Sequence, residues 1–235
     1  MRYNSSKKLK VSAIIQARMG STRLPGKVLM KILDKPVLLH IIERLKYSKL
    51  IDDIIIATSN KDSDLPIINF AIKNKEKYFC GSEENVLERV YQCAIENRSD
   101  IVVEICGDCP LIDYRFVDLC INNFFKFDYH LVTNALSKTY PNGLETNVLT
   151  TKLLGRINKK KLNKHYREHL CSYILQNPSN FKIKSISANK KFTQPAIKLT
   201  LDTKKDFKFI ENLYTYISPN KKIILTEDII KYLNL

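Results

Sequence analysis

The sequence predicts an α/β fold, a mostly parallel central sheet with helices on both faces. The runs VSAIIQ, DIIIAT and DIVVEI are almost continuously apolar, as strands are when helices cover them on both sides. Between these runs lie stretches with helical apolar spacing, and that alternation points to parallel strands joined by right-handed crossovers. The polar, glycine-containing loops fall just after the strands, where sheets of this class bind ligands.

In chain order, strands are expected at 11–16, 53–58, 78–80, 101–105 and 130–133. Helices are expected near 36–47, 63–73, 84–96 and 114–124. The rhythm changes after residue 135. Pro141-Asn142-Gly143 reads as a turn and 144–149 as an extended arm. Helices follow near 151–158 and 165–176, strands near 182–187 and 197–201, and two last helices at 204–217 and 226–233. With no internal repeat, low-complexity tract or linker, residues 1–235 read as one domain with an arm or lobe at about 137–190.

The 235 residues are 44% hydrophobic and 27% charged, ordinary globular values that supply a core without help from disulfides or metal. No apolar run approaches the ~18 residues that span a bilayer. The basic stretch MRYNSSKKLK is followed only by a short apolar segment with no small-residue cleavage site, so a soluble, cytoplasmic protein is expected. The net charge of +15 is concentrated late in the chain. Residues 151–235 hold 18 basic against 6 acidic side chains, and lysines outnumber arginines 30 to 9 overall. Nucleic-acid readers usually add arginine and stacking aromatics. A solvated lysine face, or one that draws in anionic substrates, accounts better for this pattern. Of six cysteines, Cys106 and Cys109 form a C-x-x-C, but no second pair stands at zinc-ribbon spacing.

The strongest chemical signal follows the first strand. Ala17-Arg18-Met19-Gly20-Ser21-Thr22-Arg23-Leu24-Pro25-Gly26-Lys27 is neither a G-x-G-x-x-G nor a Walker A loop. It nevertheless sets two arginines, a lysine, two hydroxyls and two glycines at a ligand-binding strand end. Backbone amides with Ser21 and Thr22 can donate to oxygens, and Arg18, Arg23 and Lys27 supply cations suited to a polyphosphate. A solvated basic loop explains any one of these residues, but poorly explains the set.

With Gln16 in front, this loop resembles the signature of the spore-coat-polysaccharide-type cytidylyltransferases, relatives of the CMP-KDO and CMP-sialate synthetases, whose loop often has proline where this chain has Gln16. The similarity runs with gaps from about residue 11 to 235. It implies a Rossmann-like nucleotidyltransferase fold, CTP as substrate, Arg18, Ser21, Arg23 and Lys27 on the phosphates, and backbone near Ala17 against the base, with Gly20 and Thr22 in the same loop. It also implies a homodimer built through the arm.

Nucleotidyl transfer calls for Mg²⁺ on carboxylates. Asp108, in Cys106-Gly107-Asp108-Cys109-Pro110 directly after a strand, is one candidate, and an Asx-turn capping the next helix is the plainer reading. Asp202, past the segment 197–201, is the other, with a helix N-cap as its plainer reading. The resemblance favours both as metal ligands, and makes the two cysteines mere neighbours of a magnesium aspartate. Gly81-Ser82-Glu83-Glu84-Asn85-Val86-Leu87-Glu88-Arg89 reads alone as a helix start with Ser82 as N-cap. In the family it lines the nucleotide site, implicating Ser82 and Arg89, though Asn85 stands where Asp is usual. Gly143-Leu144-Glu145-Thr146-Asn147-Val148 resembles an acceptor-facing segment, with Glu145 for the usual Asp and Asn147 for the usual Glu.

His165-Tyr166-Arg167-Glu168-His169 matches the H-x-x-E-H pattern of a zinc peptidase, which would place both histidines on one helix face. A third ligand in a recognisable motif is missing from the sequence. The resemblance instead assigns Arg167, Glu168 and His169 to an acceptor site or subunit contact. The expected activity is Mg²⁺-dependent transfer of CMP from CTP to an acidic sugar or phosphorylated acceptor with release of pyrophosphate, and no nucleic acid or membrane as partner. The rivals are a sugar-nucleotide glycosyltransferase and a non-catalytic nucleic-acid binder.

Overall fold

The computed structural model describes residues 8–234, so most of the basic N-terminal stretch lies outside the described residues. Its centre is a seven-stranded sheet. Strands β1 (Val11–Gln16), β2 (Lys31–Ile32), β3 (Lys35–Pro36), β4 (Asp53–Ser59), β5 (Lys77–Gly81), β6 (Ile101–Cys106), β7 (Leu131–Thr133), β8 (Asn147–Thr150) and β9 (Ile183–Ser185) follow in chain order. The sheet runs β5-β4-β1-β6-β8-β7-β9, while β2 and β3 form a separate hairpin. β5, β4, β1 and β6 are mutually parallel. β8 pairs antiparallel with β6 and β7, and β9 runs parallel to β7. The expected mostly parallel sheet is therefore present, with an antiparallel strand at its middle.

Alternation along the strands feeds two cores. Ala13 and Ile15, with Val103, Ile105 and Ile56, face helices α1 (Val37–Leu45), α2 (Leu65–Asn74), α4 (Tyr114–Lys126), α8 (Lys204–Ile217) and α9 (Thr226–Tyr232). Ile14, Ile55, Ala57 and Val102 face α3 (Val86–Glu96), α5 (Thr151–Asn158) and α7 (Ser172–Gln176). Burial on both sides explains why these strands are apolar throughout. Strand order reverses around β1, with β4 on one flank and β6 on the other. The crevice beyond the carboxyl ends of β1 and β6 is thus the switch point.

Three sequence expectations fail. The helix expected at 165–176 is two short helices, α6 (Lys164–Glu168) and α7, because His169 takes φ −109° and ψ 93° and leaves the helical region. The strand expected at 197–201 is only an isolated bridge between Lys198 and Asn142, since this segment packs against a turn rather than a strand. The extended segment at 144–149 is not an arm: it leads into β8 and supplies most of that strand, in mid-sheet.

The connection between β7 and β8 is pinned at its neck. Asn134, almost fully buried, donates from Nδ2 to the Leu144 carbonyl at 2.9 Å and accepts the Thr146 amide at 2.7 Å. Gly143 has φ +103°, and a Cβ there would sit 2.8 Å from the Leu199 carbonyl carbon. Only glycine tolerates that crowding in that conformation.

At the switch point the Gly107 amide donates to the Gln16 carbonyl at 2.9 Å, and a Cβ on Gly107 would lie 2.5 Å from that oxygen. Gly107 therefore lets the ends of β1 and β6 close on each other. Gly107→Ala should force them apart at a cost of about 2 kcal/mol, lowering Tm by roughly 4–8 °C. A melting curve unchanged from wild type would show that the approach is not tight.

Candidate active site

The loop after β1 is held from both sides. Beneath it, Asp64, 1% exposed, accepts the Met19 amide at 2.7 Å along with the Ser59 amide and hydroxyl and the Thr58 hydroxyl. The Met19 carbonyl in turn accepts the Ser21 and Gly26 amides, at 2.9 and 3.0 Å, curling the loop back on itself. Gly26, at φ +71°, turns the chain into the short 3₁₀ turn Lys27–Leu29. Asp64 had no recognisable pattern in the sequence beyond lying in a polar stretch before α2.

The Leu201 amide donates to the Asp108 carbonyl at 2.9 Å. That bond brings the segment before α8 alongside the end of β6, so the two carboxylates expected to bind metal, far apart in sequence, become neighbours. Neither serves as a helix cap. Asp113 caps α4, and Thr203 caps α8 in a capping box with Asp206. Lys27 Nζ stands between the two carboxylates, 2.7 Å from Asp108 Oδ2, 3.4 Å from Asp202 Oδ1 and 2.6 Å from the Leu201 carbonyl oxygen. Arg23 reaches Asp202 Oδ1 at 2.8 Å and Lys198 reaches Oδ2 at 3.0 Å. Burial works to raise the Asp202 carboxyl, but Lys198, Lys27 and Arg23 outweigh it and hold it below the usual carboxylate range. An ammonium held by two carboxylates and a carbonyl marks a donor set that also suits a hard divalent cation, with phosphate oxygens and water completing six-coordination. The residues present thus fit a Mg²⁺ ion.

These groups line one cleft of about 340 Å³. Its walls include Ala17, Arg18, Ser21, Thr22, Arg23 and Lys27 from the β1 loop, Cys106, Gly107 and Asp108 from β6, Asp202, and Arg89 on α3. Opposite the loop stand Glu168 and His169 at the break between α6 and α7, where Glu168 accepts from Arg18 at 3.1 Å. Cys106 is exposed on the cleft wall, next to Asp108.

Four of the candidate residues lie outside these walls. Gly20 is exposed in the loop. Ser82 lines the adjoining cavity, which Arg89 also lines, and its hydroxyl accepts the Asn85 amide. The capping role expected of Ser82 belongs to Asn85, which accepts the Glu88 amide at 3.1 Å. Glu145 accepts the Gly143 amide at 2.6 Å, and burial, then the charge of Asp108, raises its carboxyl. Arg167 turns to Asn158 and the Lys160 carbonyl at the end of α5. The peptidase pattern dissolves. The His165 and His169 rings lie 4.8 Å apart, but Glu168 is committed to Arg18, and no group of three His, Cys, Asp or Glu able to hold a metal occurs among the described residues.

Arg89 is 2% exposed, donates to the Ser82 carbonyl at 2.7 Å, and has an unpartnered Nε. Burial, then Arg18, lowers it to about 10.

The sequence matches the Cytidylyltransferase family over residues 12–228. The chain belongs to the cytidylyltransferase family. It is 35% identical to the spore coat polysaccharide biosynthesis protein SpsF of Bacillus subtilis over 86% of its own length and 85% of that protein's. A cytidylyltransferase structure from Leptospira borgpetersenii superposes with a TM-score of 0.90 at 30% identity, covering 97% of this chain and 94% of that one. Similarity to the 3-deoxy-manno-octulosonate cytidylyltransferase of Geotalea daltonii, at 35%, reaches only 48% of this chain and 44% of that protein. This cytidylyltransferase is therefore a CTP-dependent nucleotidyltransferase, which disposes of the glycosyltransferase and non-catalytic readings. No described helix is long and apolar enough to cross a membrane.

Sequence reading missed the buried Glu104 on β6, flanking the cleft floor. It accepts from Gln16 Nε2 at 2.5 Å, Asn147 Nδ2 at 3.1 Å and the Cys171 thiol at 3.1 Å. A lone charge in the run IVVEI was the only signal. Burial raises its carboxyl against the pull of those donors. A raised folded-state value means that stability is full below the unfolded value of about 4.3 and is lost as pH rises through the folded value. Glu104→Gln removes the ionisation. The Tm of the variant relative to wild type should therefore rise from pH ~4 to ~7, whatever its offset at pH ~4, and parallel Tm–pH curves would refute the cause.

Proposed function

We propose that this cytidylyltransferase transfers CMP from CTP to an acidic sugar or phosphorylated precursor of a surface glycan, with Mg²⁺, releasing pyrophosphate. The supporting observation is convergence. Arg23, Lys27, Asp108 and Asp202 meet through direct contacts in one cleft at the switch point. Similarity to SpsF along most of both chains, against less than half for the octulosonate enzyme, favours an acceptor of the spore-coat-polysaccharide kind.

In this reading Arg18, Arg23 and Lys27, with the hydroxyls and amides of Ser21 and Thr22, bind the triphosphate, Gly20 keeping the loop open to it. Backbone at Ala17 faces the base, and Arg89, supported by Ser82, closes that side. Asp108 and Asp202 would hold Mg²⁺, which supplies charge neutralisation at the phosphates when bound. Glu168, His169 and, farther out, Glu145 and Arg167 flank the acceptor's approach. An acceptor oxygen forms a bond to the α-phosphorus in line with the departing pyrophosphate, whose bridging P–O bond breaks; where that oxygen is a hydroxyl, its proton passes to solvent or to the pyrophosphate. The side chains position the reactants and neutralise charge, so no nucleophilic side chain is required. A single domain working as a cytoplasmic homodimer completes the proposal.

Arg23→Ala and Asp108→Ala should each lower kcat by about 10²–10³-fold, as loss of a transition-state donor does, in a pyrophosphate-release assay with CTP, Mg²⁺ and candidate sugar acids. Near-wild-type turnover in either variant would end this assignment.

A further inference from the structure

Lys27 sits at the centre of the carboxylates, not at the rim of the cleft. Its side chain is 13% exposed, and its ammonium takes oxygens from Asp108, Asp202 and the Leu201 backbone. Those are the donors a hard cation would take. We propose that Lys27 occupies the divalent-cation position of the nucleotide-free enzyme, so that metal binds only as the triphosphate draws Lys27 away. This rests on the assignment of Asp108 and Asp202 to the metal and of Lys27 to the phosphates.

Charge and reach both support exclusion. Around the position, the ion-paired groups number three acids, Asp108, Asp202 and Asp206, against three bases, Lys27, Arg23 and Lys198, with the Glu145 carboxyl near enough to feel the charge of Asp108. A dication entering it would meet three cations at close range, with both Asp108 and Asp202 already engaged. A triphosphate reverses that balance. Arg23, whose side chain is 65% exposed, is free to swing onto phosphate. Lys27 has a flexible four-carbon stem with a compact charge at its tip, so its ammonium can leave the carboxylates without moving the loop. The triphosphate and the metal then bind as coupled partners, each improving the site for the other.

The test uses Mn²⁺ as probe, followed by the electron paramagnetic resonance of the free ion. With no nucleotide present, wild type should bind Mn²⁺ weakly. Lys27→Met and Lys27→Gln should bind it roughly ten- to a hundredfold more tightly, the range expected when one like charge at close contact is removed in a partly screened site. Adding Asp108→Asn to Lys27→Met should abolish the gain. Equal Mn²⁺ affinity in wild type and both Lys27 variants overturns the proposal. Calorimetry with CTP in EDTA separates this from failure of the site assignment. If the Lys27 variants lose CTP affinity yet gain none for Mn²⁺, exclusion is wrong and the phosphate role stands. If CTP affinity is unchanged, Lys27 is no phosphate ligand, and both readings fall.

Discussion

The ammonium of Lys27 joins three parts of the chain that secondary structure alone leaves separate: the loop after β1, the tip of β6, and the segment leading into α8. It does so by satisfying Asp108, Asp202 and the Leu201 carbonyl together. Removing it would strip the partly buried Asp108 of its ion-pair partner and leave Arg23 and Lys198 alone to balance Asp202 beside it, an arrangement proteins avoid. The backbone bond from Leu201 to Asp108 works with it. Together they place Asp202 where its distance in sequence from Asp108 no longer matters.

The cleft depends equally on buried acids that do not face it. Asp64 holds the underside of the loop through Met19, and Glu104 fastens Gln16 at the root of that loop to Asn147 and Cys171. Both belong to a polar layer beneath the site. A carboxylate that accepts several donors in a low-dielectric setting restrains each of them. The loop can therefore be rich in small, polar residues and still keep one shape.

Much of the parallel half was legible in the sequence because its signals are local. Apolar runs marked β1, β4 and β6, and the residues just past β1 and β6 became cleft walls. Asp202 was legible only in part. Its position after an apolar segment suggested a site, but no strand forms there, and the contact that recruits it is made by the backbone of Leu201. The α6–α7 break escaped because helical spacing continues through His169 while the backbone does not. Asp64 and Glu104 escaped for a different reason. A single acid next to an apolar run looks the same in sequence whether it is solvated or buried among donors. Lysine enrichment late in the chain was equally ambiguous. Lys198 proves to serve Asp202 and Asp206, whereas Lys204 and Lys205 are exposed on the first turn of α8.

The neck at Asn134 has a consequence for how such a protein can change. Because β8 runs against β6, the chain leaves the sheet after β7 and re-enters at β8 on the same rim as the cleft, and one asparagine ties the exit to the return. Everything between is an excursion hung from a closed ring. Its base is fixed, since Tyr140 and Leu144 are buried in the core and Asn142 bridges Lys198, but the exposed tip around Leu136 and Lys138 could be rewritten without shifting a strand.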